Sequence, residues 1–286
     1  MTPGLSYAVQ KVILEYMEAN RRLIFSSRCP SIFSTEKSTP LHLKTLDFFE
    51  NSTKLNDLQY EIAPESDHYA SNVRTKPEFG DLLASGDYEP LKIYIIFHFE
   101  NRRFCRLIPG GTAIPVAVRK MNQVLLGDRK EVHVESLKIE VYGSQILRLP
   151  LDFPKLKIQN LDIGKADFHR FLTLLHTSSF PLKSLKIHSP SAKVFESEAF
   201  KSAEKLVITG TLSKNHLITL RNKIVVLENY EIRDDSVMEI IDFWLDSEKE
   251  IGSMFMMQKK NDGVEEILRK VKKKYDGVRG QDTVEK

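Results

Sequence analysis

The sequence is poor in the residues that mark secreted, membrane-spanning and metal-binding proteins. Its 286 residues include two cysteines, Cys29 and Cys105, and a single tryptophan. Two distant cysteines cannot build the disulfide framework of a small secreted domain, so we expect an intracellular protein, cytoplasmic or nuclear. The chain has neither a leader-like apolar segment nor an apolar run of membrane-spanning length. We therefore expect no membrane partner.

Motifs for common catalytic chemistry are also missing. The sequence has no His-x-x-x-His or Cys-x-x-Cys spacing for zinc, no phosphate loop following Gly110-Gly111, and no Gly-x-Ser-x-Gly elbow. We expect no catalytic residues, no metal site, no cofactor and no enzymatic activity. An enzyme that uses His169 or Cys105 is the least favoured alternative, because it would need a cleft with perturbed titrating groups. The net charge of +3 gives no reason to expect a nucleic-acid partner.

What the sequence does contain is a repeated hydrophobic pattern between Val134 and Leu227. An apolar residue, two spacers, a Leu, one spacer and an Ile recur in copies that begin at Val134, Ile158, Leu182 and Ala203, with a degraded copy at Val225–Leu227. Their central positions are 24, 24, 21 and 19 residues apart, in or near the range of leucine-rich repeats. Stacked units of this kind form parallel strands with helical return segments. We expect an exposed strand face that includes Lys138, Asp162, Lys186 and Val207.

These features predict an α/β protein with four regions. Residues 1–38 should form three short helices, and residues 39–132 a strand-rich middle region with a polar loop over residues 64–90. Residues 133–258 should form the leucine-rich-repeat-like solenoid of parallel strands and helices, and residues 259–286 a basic C-terminal helix and tail. The spacing of Phe168, Phe171, Leu172 and Leu175 predicts a return helix. The Asn or Cys that usually follows the strand of a leucine-rich repeat is absent, so the repeat is irregular.

The N-terminal segment resembles an F-box. Leu5, Ile13, the Tyr16-Met17 pair and Cys29 have the spacing of that motif, with Ser6 and Ile32 in place of its usual Pro and Trp. The resemblance implies that these helices dock the small adaptor subunit of an SCF-type ubiquitin ligase. The adaptor-facing or adaptor-supporting residues would be Leu5, Ile13, Leu14, Met17, Leu23 and Ile32. Alternatively, the helices only pack onto the repeat domain.

A second resemblance covers residues 107–139 and reaches most of the chain. Ile108-Pro-Gly, Ala117, Val124-Leu-Leu-Gly-Asp-Arg129 and the first repeat are similar to a domain of unknown function in a large nematode family. Members of that family pair an F-box-like N-terminus with this block and a leucine-repeat-like tail. The resemblance implies a non-catalytic, substrate-recruiting subunit whose repeat face binds an unknown protein target. The alternative is a structural or interaction scaffold with no ubiquitin-ligase link.

Overall fold

The computed structural model describes residues 6–64, 92–99, 102–108, 112–210, 212, 214–217, 219–228, 238–239, 241–244, 251–257 and 264–275. The predicted α/β class is confirmed. The contacts divide the chain into two compact units, residues 1–158 with 170–179 and residues 159–169 with 180–286. The division into four regions stays a prediction. Most of the expected polar loop, residues 65–90, lies outside the described residues, and Pro64 ends a strand.

The first unit opens with three short helices. They are α1 (Tyr7–Tyr16), α2 (Ala19–Arg28) and α3 (Phe33–Ser38), with a 3-10 turn at Pro30–Ile32. The Ser6 hydroxyl accepts the N–H of Val9 and the Glu18 carboxylate accepts the N–H of Arg21, so each of the first two helices begins at a side-chain cap. Pro30 separates α2 from α3 because proline cannot continue a helix interior.

A mixed sheet follows in the same unit. Its strands are β1 (Leu41–Phe49), β2 (Ser52–Leu55), β3 (Leu58–Pro64), β4 (Ile93–Phe99), β5 (Arg102–Ile108) and β6 (Val132–Glu140). The first five pair antiparallel in chain order, and β6 returns parallel to β1. Helix α4 (Ile114–Leu126) starts with Pro115 in its first turn and joins β5 to β6. It is tied to β2 by the buried hydrogen bond that the Thr53 hydroxyl donates to the side-chain amide oxygen Oδ1 of Asn122, 2.6 Å.

The second unit contains the later parallel strands of the repeats. Strand β7 (Leu156–Asp162) is divided between the units after Ile158, and it is followed by β8 (Ser184–His188), β9 (Lys205–Thr209), β10 (Ile224–Glu228) and β11 (Met254–Met257). Each pairs in parallel with the next. The connection between β7 and β8 carries α5 (Phe168–Leu172) and a 3-10 turn (Thr177–Ser179), and its residues 170–179 belong to the first unit. The later connections carry α6 (Ala192–Glu196), α7 (Glu198–Lys201) and α8 (Lys214–Leu217), and α9 (Val264–Tyr275) follows β11.

The repeated sequence positions lie side by side in the sheet. Leu161, Leu185, Leu206 and Val225 are aligned across four neighbouring strands, and all are buried. Full burial of each such side chain contributes about 1.5–3 kcal/mol. The strands predicted from the repeat are therefore confirmed, including the degraded copy in β10. The helix predicted through Leu175 is shorter than expected, because α5 ends at Leu172 and Leu175 instead forms a parallel bridge with Leu156.

Two features of the repeat were not predicted from the sequence. Strand β1 carries another copy, Leu43-Lys-Thr-Leu46-Asp-Phe48, which lies in register with the first copy in β6. In the β10 copy, buried Asn222 occupies the first position, where other copies have an apolar residue. Its side-chain amide donates to the carbonyl oxygens of Phe200 (2.9 Å) and Ala203 (2.8 Å). This asparagine therefore stabilises the turning backbone from a position before its strand rather than after it.

Candidate docking surface on the N-terminal helices

Helix α1 turns its apolar face to solvent. Val9, Val12, Ile13 and Tyr16 follow the i, i+3, i+4, i+7 spacing of one helix face, and all four are exposed, Tyr16 by 87%. The opposite face carries Leu14, which is only 1% exposed. An amphipathic helix normally buries its apolar stripe, so this orientation leaves a surface that a partner could cover.

The next two helices show the same inversion. Ile24 and Phe25 on α2 and Phe33 on α3 are exposed. The buried residues of these two helices are polar or charged apart from Ala19: they are Asn20, Arg22, Ser26, Thr35, Glu36 and Lys37. We call the exposed side chains Val9, Val12, Ile13, Tyr16, Ile24, Phe25 and Phe33 the outer apolar set. Polar side chains hold these helices in place, and apolar side chains face outward.

A buried ion cluster lies on the inner side of helices α1 to α3. The Glu36 carboxylate accepts a hydrogen bond from Arg22 Nε at 2.9 Å, and the same oxygen lies 2.8 Å from Arg129 Nη2 in an ion pair that lacks hydrogen-bond geometry. Both arginines have a lowered pKa, chiefly because burial disfavours the charged form, an effect that Glu36 opposes. Among the described residues, Glu36 Oε2 and Arg129 Nη1 have no hydrogen-bond partner.

Arg22 also gathers the backbone at the ends of two helices. Its guanidinium donates to the carbonyl oxygens of Glu36 (2.5 Å) and Thr39 (2.5 Å) at the end of α3, and to Pro40 (2.7 Å) beyond it. A longer bond, 3.4 Å, reaches the Leu14 carbonyl in the last turn of α1. Because the last carbonyls of a helix have no partner within it, one buried arginine satisfies groups that would otherwise be costly to bury.

Lys37 connects the segment to α4. Its ammonium donates to the carbonyl oxygens of Val124 (3.0 Å) and Gly127 (2.9 Å) at the C-terminal end of α4. Burial, reinforced by the charge of Arg129, lowers the pKa of Lys37 to about 8. These bonds join α3 to residues 124–129, so the N-terminal helices are part of the packed first unit and not a detachable tail.

A second anchor links α2 to the antiparallel strands. The Asn20 amide donates to the Leu55 carbonyl oxygen at 2.9 Å, and the Tyr60 hydroxyl donates to Asn20 Oδ1 at 2.9 Å. Burial raises the pKa of Tyr60 far above its usual range. Burial also tends to raise the pKa of Glu18, but hydrogen bonds from Asn56, Arg21 and Asn20 outweigh it and lower that pKa.

Residues 113–261 match the family described as Domain of unknown function (DUF3557), and this match covers more than half of the 286 residues. The chain belongs to the DUF3557 family. The DUF3557 region begins just before α4 and ends beyond β11. Neither the curated proteins nor the solved structures give a match.

The DUF3557 match confirms the expected domain of unknown function and carries no information on the F-box or nematode resemblance. Arg129 and the α4 carbonyls that Lys37 binds lie inside the matched region, whereas Arg22, Glu36 and Lys37 precede it. The buried ion cluster therefore fixes the N-terminal helices to the DUF3557 region itself.

The residues predicted to face or support an adaptor fall in different environments. Ile13 is exposed, whereas Met17, Leu23 and Ile32 are half-buried. Leu14 is buried, so in this conformation it can support a docking surface but cannot contact a partner. Leu5 lies outside the described residues. The prediction did not single out Val9, Val12, Tyr16, Ile24, Phe25 and Phe33, although the α1 periodicity marks the first three as one face.

The predicted strand face of the DUF3557 region is only partly open. Lys138 pairs with Glu140, and Lys186 Nζ lies 2.6 Å from Glu228 Oε2, two strands away. Val207 lies between Lys186 and Val226 in the sheet and is buried, so the expectation that it is exposed is wrong. Buried Leu and Ile positions alternate with the outer positions along the repeat strands, as expected. At Val207, however, the outer face of the strand is buried too.

The two cysteines differ in exposure. A cysteine in the middle of a strand is usually buried, but Cys105 on β5 is exposed, and Cys29 is half-buried. Within the described ranges, no cluster of three or more His, Cys, Asp or Glu side chains could hold a metal ion. No helix in the same ranges is both long and apolar enough to cross a membrane.

Proposed function

We propose that this protein is a non-catalytic, substrate-recruiting subunit of an SCF-type ubiquitin ligase. Helices α1 to α3 dock the adaptor, and the repeat strand face of a leucine-rich-repeat-like solenoid binds a protein target. The observation that supports the docking step is the outer apolar set, which faces solvent while polar side chains hold the helices from inside. The choice of the SCF adaptor as the partner rests on the F-box-like spacing of Leu5, Ile13, Met17 and Cys29.

The outer apolar set can supply much of the free energy of a specific complex. Six of its seven side chains are already about half-buried, so covering the exposed remainder of all seven contributes on the order of 6–12 kcal/mol before association costs. A micromolar complex requires about 8 kcal/mol net, and association itself costs several kcal/mol. Docking must therefore cover nearly the whole set, which contains four residues on α1 and three on α2 and α3.

The buried ion cluster supports the same proposal by fixing the docking helices. Arg22, Glu36 and Arg129 join the helices to the α4 end of the DUF3557 region. A surface that is held before binding loses less conformational entropy on binding. The protein would transfer nothing itself; it would raise the effective concentration of target lysines near the bound conjugating enzyme.

The alternative is a structural or interaction scaffold with no ubiquitin-ligase link, in which α1 to α3 only complete the fold. The bonds of Arg22 and Lys37 favour it, because they serve packing. That alternative does not account for the outward apolar side chains of all three helices.

Adaptor binding by the full chain separates the two proposals. We expect saturable binding of purified adaptor by residues 1–286, and at least tenfold weaker binding by the variant Val12→Asp with Tyr16→Asp. Both side chains are exposed, so the fold should be retained. The matched control is Val116→Asp with Val124→Asp, two exposed valines on α4, which should bind like the unmodified chain. Absence of binding at tens of micromolar, or equal loss in both variants, would favour the scaffold.

A further inference from the structure

Strand β5 is the last strand of the described sheet. It pairs with β4 over its full length, from Arg102 opposite Phe99 to Ile108 opposite Ile93. No strand in the part of the chain that the structure describes pairs with its other side. The outer edge of β5 therefore presents backbone N–H and C=O groups to which another extended chain could bind.

Both faces of β5 are open as well as its edge. The first six of its seven residues are exposed, among them Phe104 by 58% and Leu107 by 48%. By contrast, β1 alternates buried and exposed positions because one of its faces packs on the core. An edge strand with solvent on both faces and large apolar side chains is unusual unless another molecule covers it.

The side chains of β5 define what could bind there. Arg102, Phe104 and Arg106 alternate along the strand and so share one face. Phe104 lies opposite Phe97, whose ring packs edge-on against Tyr60 with centroids 5.5 Å apart. The aromatic row Tyr60, Phe97 and Phe104 thus continues to the open edge, with an arginine on each side of its last member.

From this arrangement we propose that β5 binds an acidic, extended peptide, which adds to the sheet as a further strand. Residues of neighbouring strands interact when they lie directly opposite, so the peptide needs an apolar or aromatic residue against Phe104. It needs acidic residues two positions before and after, against Arg102 and Arg106. This binding uses neither the adaptor nor the N-terminal helices, and it goes beyond the proposed function.

Charge decides between an acidic peptide and other occupants. A second copy of β5 would bring two sets of three arginines together and has no carboxylate in that strand to offset them. A nucleic acid would need more basic groups than this strand supplies, because its affinity comes mainly from phosphate contacts. The net charge of the chain is only +3. An acidic peptide can form ion pairs with the arginines and backbone hydrogen bonds with the open edge of β5.

The probe is a fluorescent peptide of sequence Thr-Glu-Thr-Phe-Thr-Glu-Thr, titrated with the full chain and followed by anisotropy. We expect saturable binding, and at least tenfold weaker binding by the variant Arg102→Glu with Arg106→Glu. The control variant is Arg119→Glu with Lys120→Glu, an equal charge change on the exposed surface of α4, which should bind the peptide within twofold of the unmodified chain. A peptide with Lys in place of Glu should not bind.

Backbone methylation tests whether the peptide adds as a strand. Two peptides carry N-methyl groups either on the Glu and Phe residues or on the Thr residues between them. In a strand only one of these sets donates to β5, so one peptide should bind at least tenfold more weakly than the other. Equal binding by both peptides, no binding by the unmethylated peptide, or tighter Arg102- and Arg106-dependent binding of an oligo-dT probe would overturn the proposal.

Discussion

The N-terminal helices and the parallel strands bury opposite kinds of side chain. On α2 and α3 the buried positions include Arg22, Glu36 and Lys37, whereas β7 to β10 bury aligned rows of Leu, Ile and Val. The strands are held by the hydrophobic effect, which needs no direction. The helices are held by buried charged groups that must pair with each other and with buried backbone carbonyl oxygens. Such an arrangement depends on geometry, and the loss of one partner disrupts it.

This difference has a consequence for function. A repeat strand that buries its Leu and Ile positions leaves mainly polar groups on the other face, as Lys186 and Glu228 illustrate. A helix that buries its charged side chains leaves its apolar side chains exposed to solvent, where a partner could contact them. Helices α1 to α3 therefore expose the outer apolar set, while the repeat strands bury theirs and supply a stable frame.

The largest expected effect comes from removing the one buried anion of the ion cluster. Glu36→Gln leaves Arg22 and Arg129 without their buried ion-pair partner, and breaking a buried ion pair in this way costs about 3–5 kcal/mol. Urea unfolding of the full chain measures the loss. The matched control, Glu198→Gln, removes an exposed ion pair with Lys201 and should cost at most about 1 kcal/mol.

A second substitution sharpens that measurement. Adding Arg129→Met to Glu36→Gln removes one of the uncompensated cations, so the double variant should recover part of the lost stability. If Arg129→Met lowers the free energy of unfolding as much in the Glu36→Gln background as it does in the unmodified chain, the cluster does not depend on charge balance.

An intermediate effect is expected from the apolar half of the comparison. Leu206 is fully buried between Leu185 and Val225, and Leu206→Ala should lower the free energy of unfolding by about 3 kcal/mol through lost burial and a residual cavity. Val12→Ala on the exposed face of α1 should change it by less than about 0.5 kcal/mol. Similar losses in both variants would show that Val12 is packed and would remove the basis for the docking surface.

Much of the frame could be predicted from sequence because the repeat has a clear period. Strands β6 to β10 lie where the spacing placed them, since each copy combines buried positions with a strand-like alternation. Strand β2 was not predicted, because four residues bounded by turns carry too little pattern. The copy in β1 was missed because it lies far from the others in the chain, although its Leu43, Leu46 and Phe48 have the same spacing.

The candidate site was harder to predict, for a physical reason. Sequence periodicity finds the apolar face of a helix but does not say whether that face points inward. For α1 the usual assumption buries Val9, Val12, Ile13 and Tyr16, and the structure exposes them. The deciding contacts, from Arg22 and Lys37 to backbone carbonyls and from Glu36 to Arg129, join residues as much as 93 positions apart in sequence. No local pattern indicates such pairings.

The smallest expected effect is a pH dependence that isolates Lys37. Its pKa is about 8 in the fold against 10.5 ordinarily, because burial and Arg129 disfavour its charge. Below about pH 8 both folded and unfolded chains hold the proton, and the full penalty is present. As the pH rises toward 10.5 the folded chain releases the proton first, so the penalty is relieved and stability increases.

The measurement compares the unmodified chain with Lys37→Met, which retains a side chain of similar length but cannot titrate. Between about pH 7 and pH 9.5, the free energy of unfolding of the unmodified chain should rise relative to that of Lys37→Met by about 2 kcal/mol. Tyr60, Glu18 and other titrating groups are common to both chains, so their effects cancel in the difference. A flat difference would mean that Lys37 is hydrated in solution, and the bond that joins α3 to α4 would then contribute little to fixing the docking helices.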